Sequence, residues 1–198
     1  MKTGTIILAA GNSSRLGKPK QLINYRGTTL LQRITNIALK STNGPVLIVE
    51  GAGTYELSAH PRLRQVGNPE WEKGMGSSLK LGLKTLEKVG PPDQLLVLLS
   101  DQPMVSAGLI ESLFKKKKES CMPIVASFYQ GSPGVPVVFE KTVFEKLKAI
   151  PDEGGAKKLL ISNSELLALV KFEAGNIDID SPEDLEAFNQ SNWEHFNN

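Results

Sequence analysis

The chain has 198 residues, 40% of them hydrophobic, enough to bury one substantial α/β core, and its net charge of +2 gives no general case for a nucleic acid or an acidic membrane as partner. Its one cysteine, Cys121, cannot form an intramolecular disulfide, and no Cys/His cluster points to zinc. Met1-Lys2-Thr3-Gly4 leads straight into an apolar run with no room for a signal peptide, and no apolar run is long enough to span a bilayer, so a cytoplasmic protein is expected.

Thr5-Ile6-Ile7-Leu8 is a short β-branched stretch of the kind that makes a buried parallel strand. The string that leaves it, Leu8-Ala9-Ala10-Gly11-Asn12-Ser13-Ser14-Arg15-Leu16-Gly17-Lys18-Pro19-Lys20, joins a strand end to a small-residue loop and three cations. Gly11 and Gly17 let backbone approach a ligand closely, while Asn12, Ser13 and Ser14 add small hydrogen-bonding groups, so backbone N–H groups can line an anion site. Arg15 offers a planar fork for bidentate phosphate contact; Lys20 brings a compact charge that can follow phosphate oxygens as they change geometry; Lys18 is peripheral. The string is not a Walker A loop, because five residues separate Gly11 from Gly17-Lys18 and Pro19 follows where Ser or Thr is required. Nor does it supply the three glycines of a dinucleotide fingerprint. It reads as a polyphosphate cradle, with Leu8, Ala9, Ala10, Gly11, Ser13, Ser14, Arg15 and Lys20 as its candidate nucleotide-binding residues.

Next, Thr28 or Thr29 can cap a helix carrying Leu30, Leu31, Ile34, Ile37 and Ala38 at helical spacing, stopped by Asn43-Gly44-Pro45. Residues 46–49 read as a second strand, completing a strand-helix-strand unit expected to be parallel. Ser77 or Ser78 begins another predicted helix, broken by Gly90-Pro91-Pro92. Leu95-Leu96-Val97-Leu98-Leu99 is the clearest central strand; its unbroken apolarity requires cover on both faces, as in a doubly wound, mostly parallel sheet with helices on both sides. A helix over 109–118 ends in four lysines, a solvated helix end without the aromatic platform of a nucleic-acid surface. Strands over 124–128 and 135–139 flank Gly131-Ser132-Pro133-Gly134, expected as a shaped loop. Helices over 142–149 and 155–161, a strand over 167–172 and a helix from about Pro182 complete one domain over 1–190, followed by a fraying tail over 191–198.

Asp101 follows the central strand in Ser100-Asp101-Gln102-Pro103, at the sheet end where open α/β folds hold ligands. A nucleoside triphosphate needs a divalent cation with hard oxygen ligands, and Asp101 is the candidate magnesium ligand; a loop or helix cap is the alternative for a lone Asp there. In Asn176-Ile177-Asp178-Ile179-Asp180-Ser181-Pro182-Glu183-Asp184-Leu185, Asp178 and Asp180 share one side if extended and could complete a metal site, while Ser181 to Asp184 fit a capped helix start.

Taken together, Leu-Ala-Ala-Gly followed by Ser, Arg, Gly and Lys at this spacing resembles the signature of nucleotidyltransferases. Continuation through Gln21-Leu22 to Gly27-Thr28-Thr29-Leu30-Leu31 looks most like the molybdenum cofactor cytidylyltransferase branch. That resemblance implies transfer of CMP from CTP to the terminal phosphate of molybdopterin or its molybdenum-loaded form, with Mg²⁺, release of pyrophosphate, and a molybdoenzyme as recipient of the product. It assigns Arg15, Lys20 and Asp101 as catalytic, Asp101 and Asp178 as metal-binding, and Gly76, Ser77 and Ser78 of Asn68-Pro69-Glu70-Trp71-Glu72-Lys73-Gly74-Met75-Gly76-Ser77-Ser78 to the segment beside the base. Trp71 either stacks there or packs. GMP transfer to the same pterin, nucleotidyl transfer to a sugar phosphate, and a non-catalytic carrier of nucleotide or pterin are the alternatives. Two departures fall on the acceptor side: Gly134-Val135-Pro136 stands where the branch has Gly-His-Pro, and Pro151-Asp152-Glu153-Gly154-Gly155-Ala156-Lys157 has Lys for Arg and one added residue.

Overall fold

The computed structural model describes residues 1–11, 17–177, 179, 184–186 and 188. The elements are β1 (Thr3–Ala9), β2 (Asn24–Tyr25), β3 (Thr28–Thr29), α1 (Leu30–Ser41), β4 (Val46–Glu50), β5 (Leu63–Gly67), α2 (Met75–Val89), β6 (Gln94–Leu99), α3 (Ala107–Ser120), β7 (Ile124–Tyr129), β8 (Ser132–Glu140), α4 (Phe144–Lys148), α5 (Ala156–Ser162) and β9 (Leu167–Lys171). Among the described residues, seven strands form one sheet in the order β5-β4-β1-β6-β8-β7-β9, and β2 pairs with β3 as a separate hairpin.

Alternation along the central strands divides the core into two layers. Ile7, Ile48, Leu96 and Leu98 face α1 and α3, whereas Ile6, Leu8, Leu47, Val49, Leu95 and Val97 face α2, α4 and α5. All seven residues of β1 are buried, as a strand covered on both faces requires. Each fully buried Leu, Ile or Val contributes about 1.5–3 kcal/mol against the conformational entropy of folding.

The sheet is mostly parallel, with one exception. β8 runs antiparallel to both β6 and β7, because a two-residue turn at Gln130-Gly131, with φ of 48° and 70°, reverses the chain. Ser132, Pro133 and Gly134, expected in a loop, therefore lie in a strand, and a register shift between Ala126 and Ser127 absorbs the irregularity. β5 is a second departure from the sequence reading. It pairs parallel to β4 at the sheet edge, where Arg64 and Gln65 are exposed and no apolar run announces it.

Thr29 caps α1 by accepting from Gln32 N at 3.1 Å, and Ser106 caps α3 by accepting from Leu109 N at 3.2 Å. α2 starts earlier than expected, at Met75 with Gly74 as its cap, which puts Ser77 and Ser78 in the first turn. The chain passes from β1 outward to β4 and β5, then returns through α2 to β6 on the other side of β1. That reversal opens a crevice at the carboxyl ends of β1 and β6.

Candidate active site

The crevice receives the two segments expected to carry the chemistry. Leu8 is in register with Leu99, and Ser100 N donates to Leu8 O at 3.1 Å, so the loops after β1 and β6 leave the sheet at one level. Lys20 stands in a 3₁₀ turn, Lys20–Leu22, and its Nζ lies 3.7 Å from Asp101 Oδ2. The two side chains are 14% and 30% exposed, shielded enough to act on each other yet open to a ligand.

Gln21 explains how Lys20 comes to this place. Its side chain is 2% exposed and donates from Nε2 to Ala9 O at 2.8 Å, with Gly11 O at 3.4 Å. The 3₁₀ turn is thereby riveted to the start of the cradle, and the residue next to the rivet is Lys20. Leu8 and Ala9 are buried, Ala10 is half-buried and Gly11 is exposed at the rim. Ser13, Ser14 and Arg15 lie outside the described residues, as does Asp178; its neighbour Ile179 is fully buried.

The segment expected beside the base is organised around Asn68, which is 4% exposed. Asn68 Nδ2 donates to the hydroxyls of Ser77 and Ser78, each at 2.9 Å, while its Oδ1 accepts from Glu70 N at 3.0 Å. Ser77 Oγ in turn donates toward Gly74 O at 2.8 Å. The hydroxyls of the two serines assigned to the segment beside the base are therefore engaged inside the fold, the geometric consequence of a helix that begins two residues before them. Gly76 does allow close packing: a Cβ there would sit 2.1 Å from Pro151 O and 2.4 Å from Gly154 O. Gly76 N donates to Asp152 O at 2.9 Å, so the 151–154 segment covers the start of α2. Trp71 is half-buried in the 3₁₀ turn Trp71–Lys73.

Lys80 Nζ pairs with Asp152 Oδ1 at 2.5 Å and donates to Ile150 O at 3.0 Å, which fastens the same segment. Its hydrogen bond and charge hold the Asp152 carboxyl below the usual carboxylate range. Val135 is 8% exposed and packs in the core on the α2 side, while Lys157 is exposed in the first turn of α5. Glu50, at the end of β4 opposite Ala9, is buried and accepts from Tyr55 N at 3.1 Å and Gln65 Nε2 at 2.7 Å, anchoring the 51–62 loop. Burial and the Glu50 charge raise the Tyr55 hydroxyl pKa. His60 Nδ1 accepts from Arg62 N at 3.2 Å, and Cys121 is exposed at the end of α3.

Among the described residues, no group of three or more His, Cys, Asp or Glu side chains gathers around one point. The donor set, a partly exposed carboxylate beside a lysine, fits a hard cation that takes most of its ligands from phosphate oxygens and water. It does not fit a metal held entirely by protein. No helix among the described residues is long and apolar enough to cross a membrane.

Known proteins share this architecture. A solved structure of Rv0371c from Mycobacterium tuberculosis superposes with a TM-score of 0.80 at 24% identity, covering 96% of this chain and 98% of that one. A structure of Rv0371c in complex with manganese matches at 0.74 and 22% identity, over 97% and 100% of the two chains. In sequence, the purine catabolism protein PucB of Bacillus subtilis is 30% identical, with 91% of this chain and 93% of PucB covered. The molybdenum cofactor cytidylyltransferase of Escherichia coli is 20% identical over 90% of this chain and 91% of its own. The model of the MobA-like NTP transferase domain spans residues 5–166, taking in both the cradle and Asp101, and this chain belongs to that nucleotidyltransferase family.

Proposed function

We propose that the protein transfers CMP from CTP to the terminal phosphate of molybdopterin, or of its molybdenum-loaded form, and releases pyrophosphate. The observation that carries this reading is the 3.7 Å approach of Lys20 to Asp101 at the sheet's switch point. The cytidylyltransferase named among the relatives supports the donor and acceptor, and the manganese complex of a structural neighbour supports a divalent cation.

An oxygen of the acceptor's phosphate monoester attacks the α-phosphorus of CTP; the new P–O bond forms as the bond to the β-phosphate oxygen breaks, and the electron pair leaves with pyrophosphate. The attacking oxygen is already anionic near neutral pH, since a phosphate monoester loses its second proton with a pKa of about 6. No strong general base is required, and the protein's task is positioning and charge stabilisation.

Backbone N–H groups of the cradle from Leu8 through Gly11, with Ser13, Ser14 and Arg15, would hold the triphosphate. Lys20 would meet the charge gathering on the leaving pyrophosphate, and Gln21 keeps its turn in place. Asp101, together with Asp178, would hold Mg²⁺, which neutralises and orients the phosphates when bound. Asn68 and Gly76 would shape the wall beside the base by packing, with the hydroxyls of Ser77 and Ser78 supporting that wall from inside.

Pyrophosphate release with molybdopterin and each of CTP, GTP, ATP and UTP, with and without Mg²⁺ and alongside Asp101→Ala, tests the reading. Metal-dependent release with CTP alone, lost in the variant, is the expected outcome. Release with GTP alone would make this a guanylyltransferase. The acceptor-side departures at Val135 and Lys157 favour a different phosphorylated acceptor, such as a sugar phosphate, or a carrier role, if CTP binds and no pyrophosphate appears.

A further inference from the structure

Gln102 follows Asp101 in the chain, yet its side chain is 4% exposed, turned into the fold behind the carboxylate. Its Nε2 lies 3.2 Å from Val135 O, 3.3 Å from Gly175 O and 3.4 Å from Tyr129 Oη. An amide nitrogen has two hydrogens, and carbonyl oxygens only accept, so the two carbonyls fix which end of the amide faces them.

Those carbonyls come from separate parts of the chain. Val135 lies in β8 on the acceptor side, and Gly175 lies in the 3₁₀ turn Glu173–Asn176 that precedes Ile177 and Asp178. The ring of Tyr129 spaces the same junction. A Cβ on Gly134 would sit 2.4 Å from Tyr129 Oη, and one on Gly175 would sit 2.4 Å from Tyr129 Cδ1, so neither position admits a side chain without moving the ring. Phe172 closes the stack edge-on, 6.0 Å from Tyr129 between ring centres. Beyond the turn, Ile177 packs against the core and Ile179 is fully buried in it.

We propose that Gln102 is a positioning residue that ties the loop carrying Asp101 to β8 and to the Glu173–Asn176 turn, and so fixes where Asp101 meets a divalent cation brought with the nucleotide. The proposal rests on the reading of Asp101 given above. It assigns to the Gln of Ser100-Asp101-Gln102-Pro103 a role distinct from capping or core packing.

Gln94 provides a matched control. It is 7% exposed, sits at the opposite end of β6, and donates from Nε2 to Thr3 Oγ1 at 2.8 Å. Gln102→Met and Gln94→Met each delete a buried amide while keeping chain length and an unbranched shape. The experiment is Mn²⁺ binding, followed by the loss of the free-ion paramagnetic resonance signal, with CTP present and no acceptor, together with thermal melting of each variant.

Gln102→Met is expected to weaken Mn²⁺ binding about 10-fold, the scale of a lost outer-shell partner, while Gln94→Met melts as low or lower and binds Mn²⁺ like the parent. Where Gln102→Met does not fold, Gly175→Ala, which pushes the turn off Tyr129, is expected to give the same loss. Parent-like Mn²⁺ binding by the folded Gln102→Met protein, or an equal loss in Gln94→Met, would overturn the proposal while leaving the reading of Asp101 intact. Failure of the parent protein to bind Mn²⁺ with CTP would overturn that reading, and the proposal with it.

Discussion

Replacing Lys20 with alanine separates transition-state stabilisation from simple nucleotide binding. The Nζ to Oδ2 separation of 3.7 Å and side-chain exposures of 14% and 30% make the Lys20–Asp101 pair a partly solvated one. Such a pair contributes at most about 1 kcal/mol to folding, so Lys20→Ala should remain folded. Its effect on the reaction should be larger, because a preorganised cation gains its full interaction only as charge moves onto the leaving pyrophosphate. Deleting one preorganised donor of this kind costs about 10²–10³ in kcat, or about 2.7–4 kcal/mol of barrier. The assay is steady-state kinetics of pyrophosphate release at saturating acceptor and metal, with CTP varied. The expected result is a fall in kcat of that size with a change in KM for CTP of less than about 3-fold, and partial recovery in Lys20→Arg, which restores charge with different geometry. A rise in KM with kcat unchanged would refute the reasoning, because Lys20 would then hold ground state and transition state equally.

Asn68→Ala removes three hydrogen bonds from a buried junction and should cost about 2–4 kcal/mol, read by urea unfolding, where a loss below about 0.5 kcal/mol would contradict the role given to Asn68. Gly76→Ala would place a methyl against the carbonyls of Pro151 and Gly154 and should destabilise by about 1–3 kcal/mol while weakening nucleotide binding; a neutral effect on both would show that the 151–154 segment yields freely. Because the Asp152 pKa is lowered in the folded state, its pairing with Lys80 stabilises the fold above the ordinary carboxylate value of 3.8 and is lost as pH falls below it. The difference in urea midpoint between the parent and Asp152→Asn should therefore be constant near neutral pH and vanish on acidification through that window; a difference that grew instead would reverse the sign assigned to the pair.

Much of the sheet is legible in the sequence because β1, β4 and β6 are continuous apolar runs that only a doubly covered position explains. β5 is not, since an edge strand carrying Arg64 and Gln65 shows the pattern of a loop. Pro133 and Gly134 disguise β8 in the same way: their composition signals a break, while the reversal itself needs only Gln130 and Gly131 with positive φ. In the candidate site, the placement of Leu8, Ala9 and Asp101 at neighbouring strand ends is legible from residue type and position. The approach of Lys20 to Asp101 is not, because it depends on a 3₁₀ turn fixed by the buried Gln21 amide, which leaves no periodic trace. Asn68 is hidden by Pro69, since Asn-Pro reads as a turn, and its bonds to the Ser77 and Ser78 hydroxyls depend on Gly74 starting α2 earlier than the sequence suggests.

The most direct test of nucleotidyl transfer follows the phosphorus. The protein is incubated with molybdopterin, Mg²⁺ and CTP labelled with ³²P at either the α- or the γ-position, and the pterin and pyrophosphate fractions are counted separately. Transfer of the α-label to the pterin, with the γ-label recovered in pyrophosphate, is the expected result. Transfer of the γ-label to the pterin, or retention of both labels in intact bound CTP, would contradict the account.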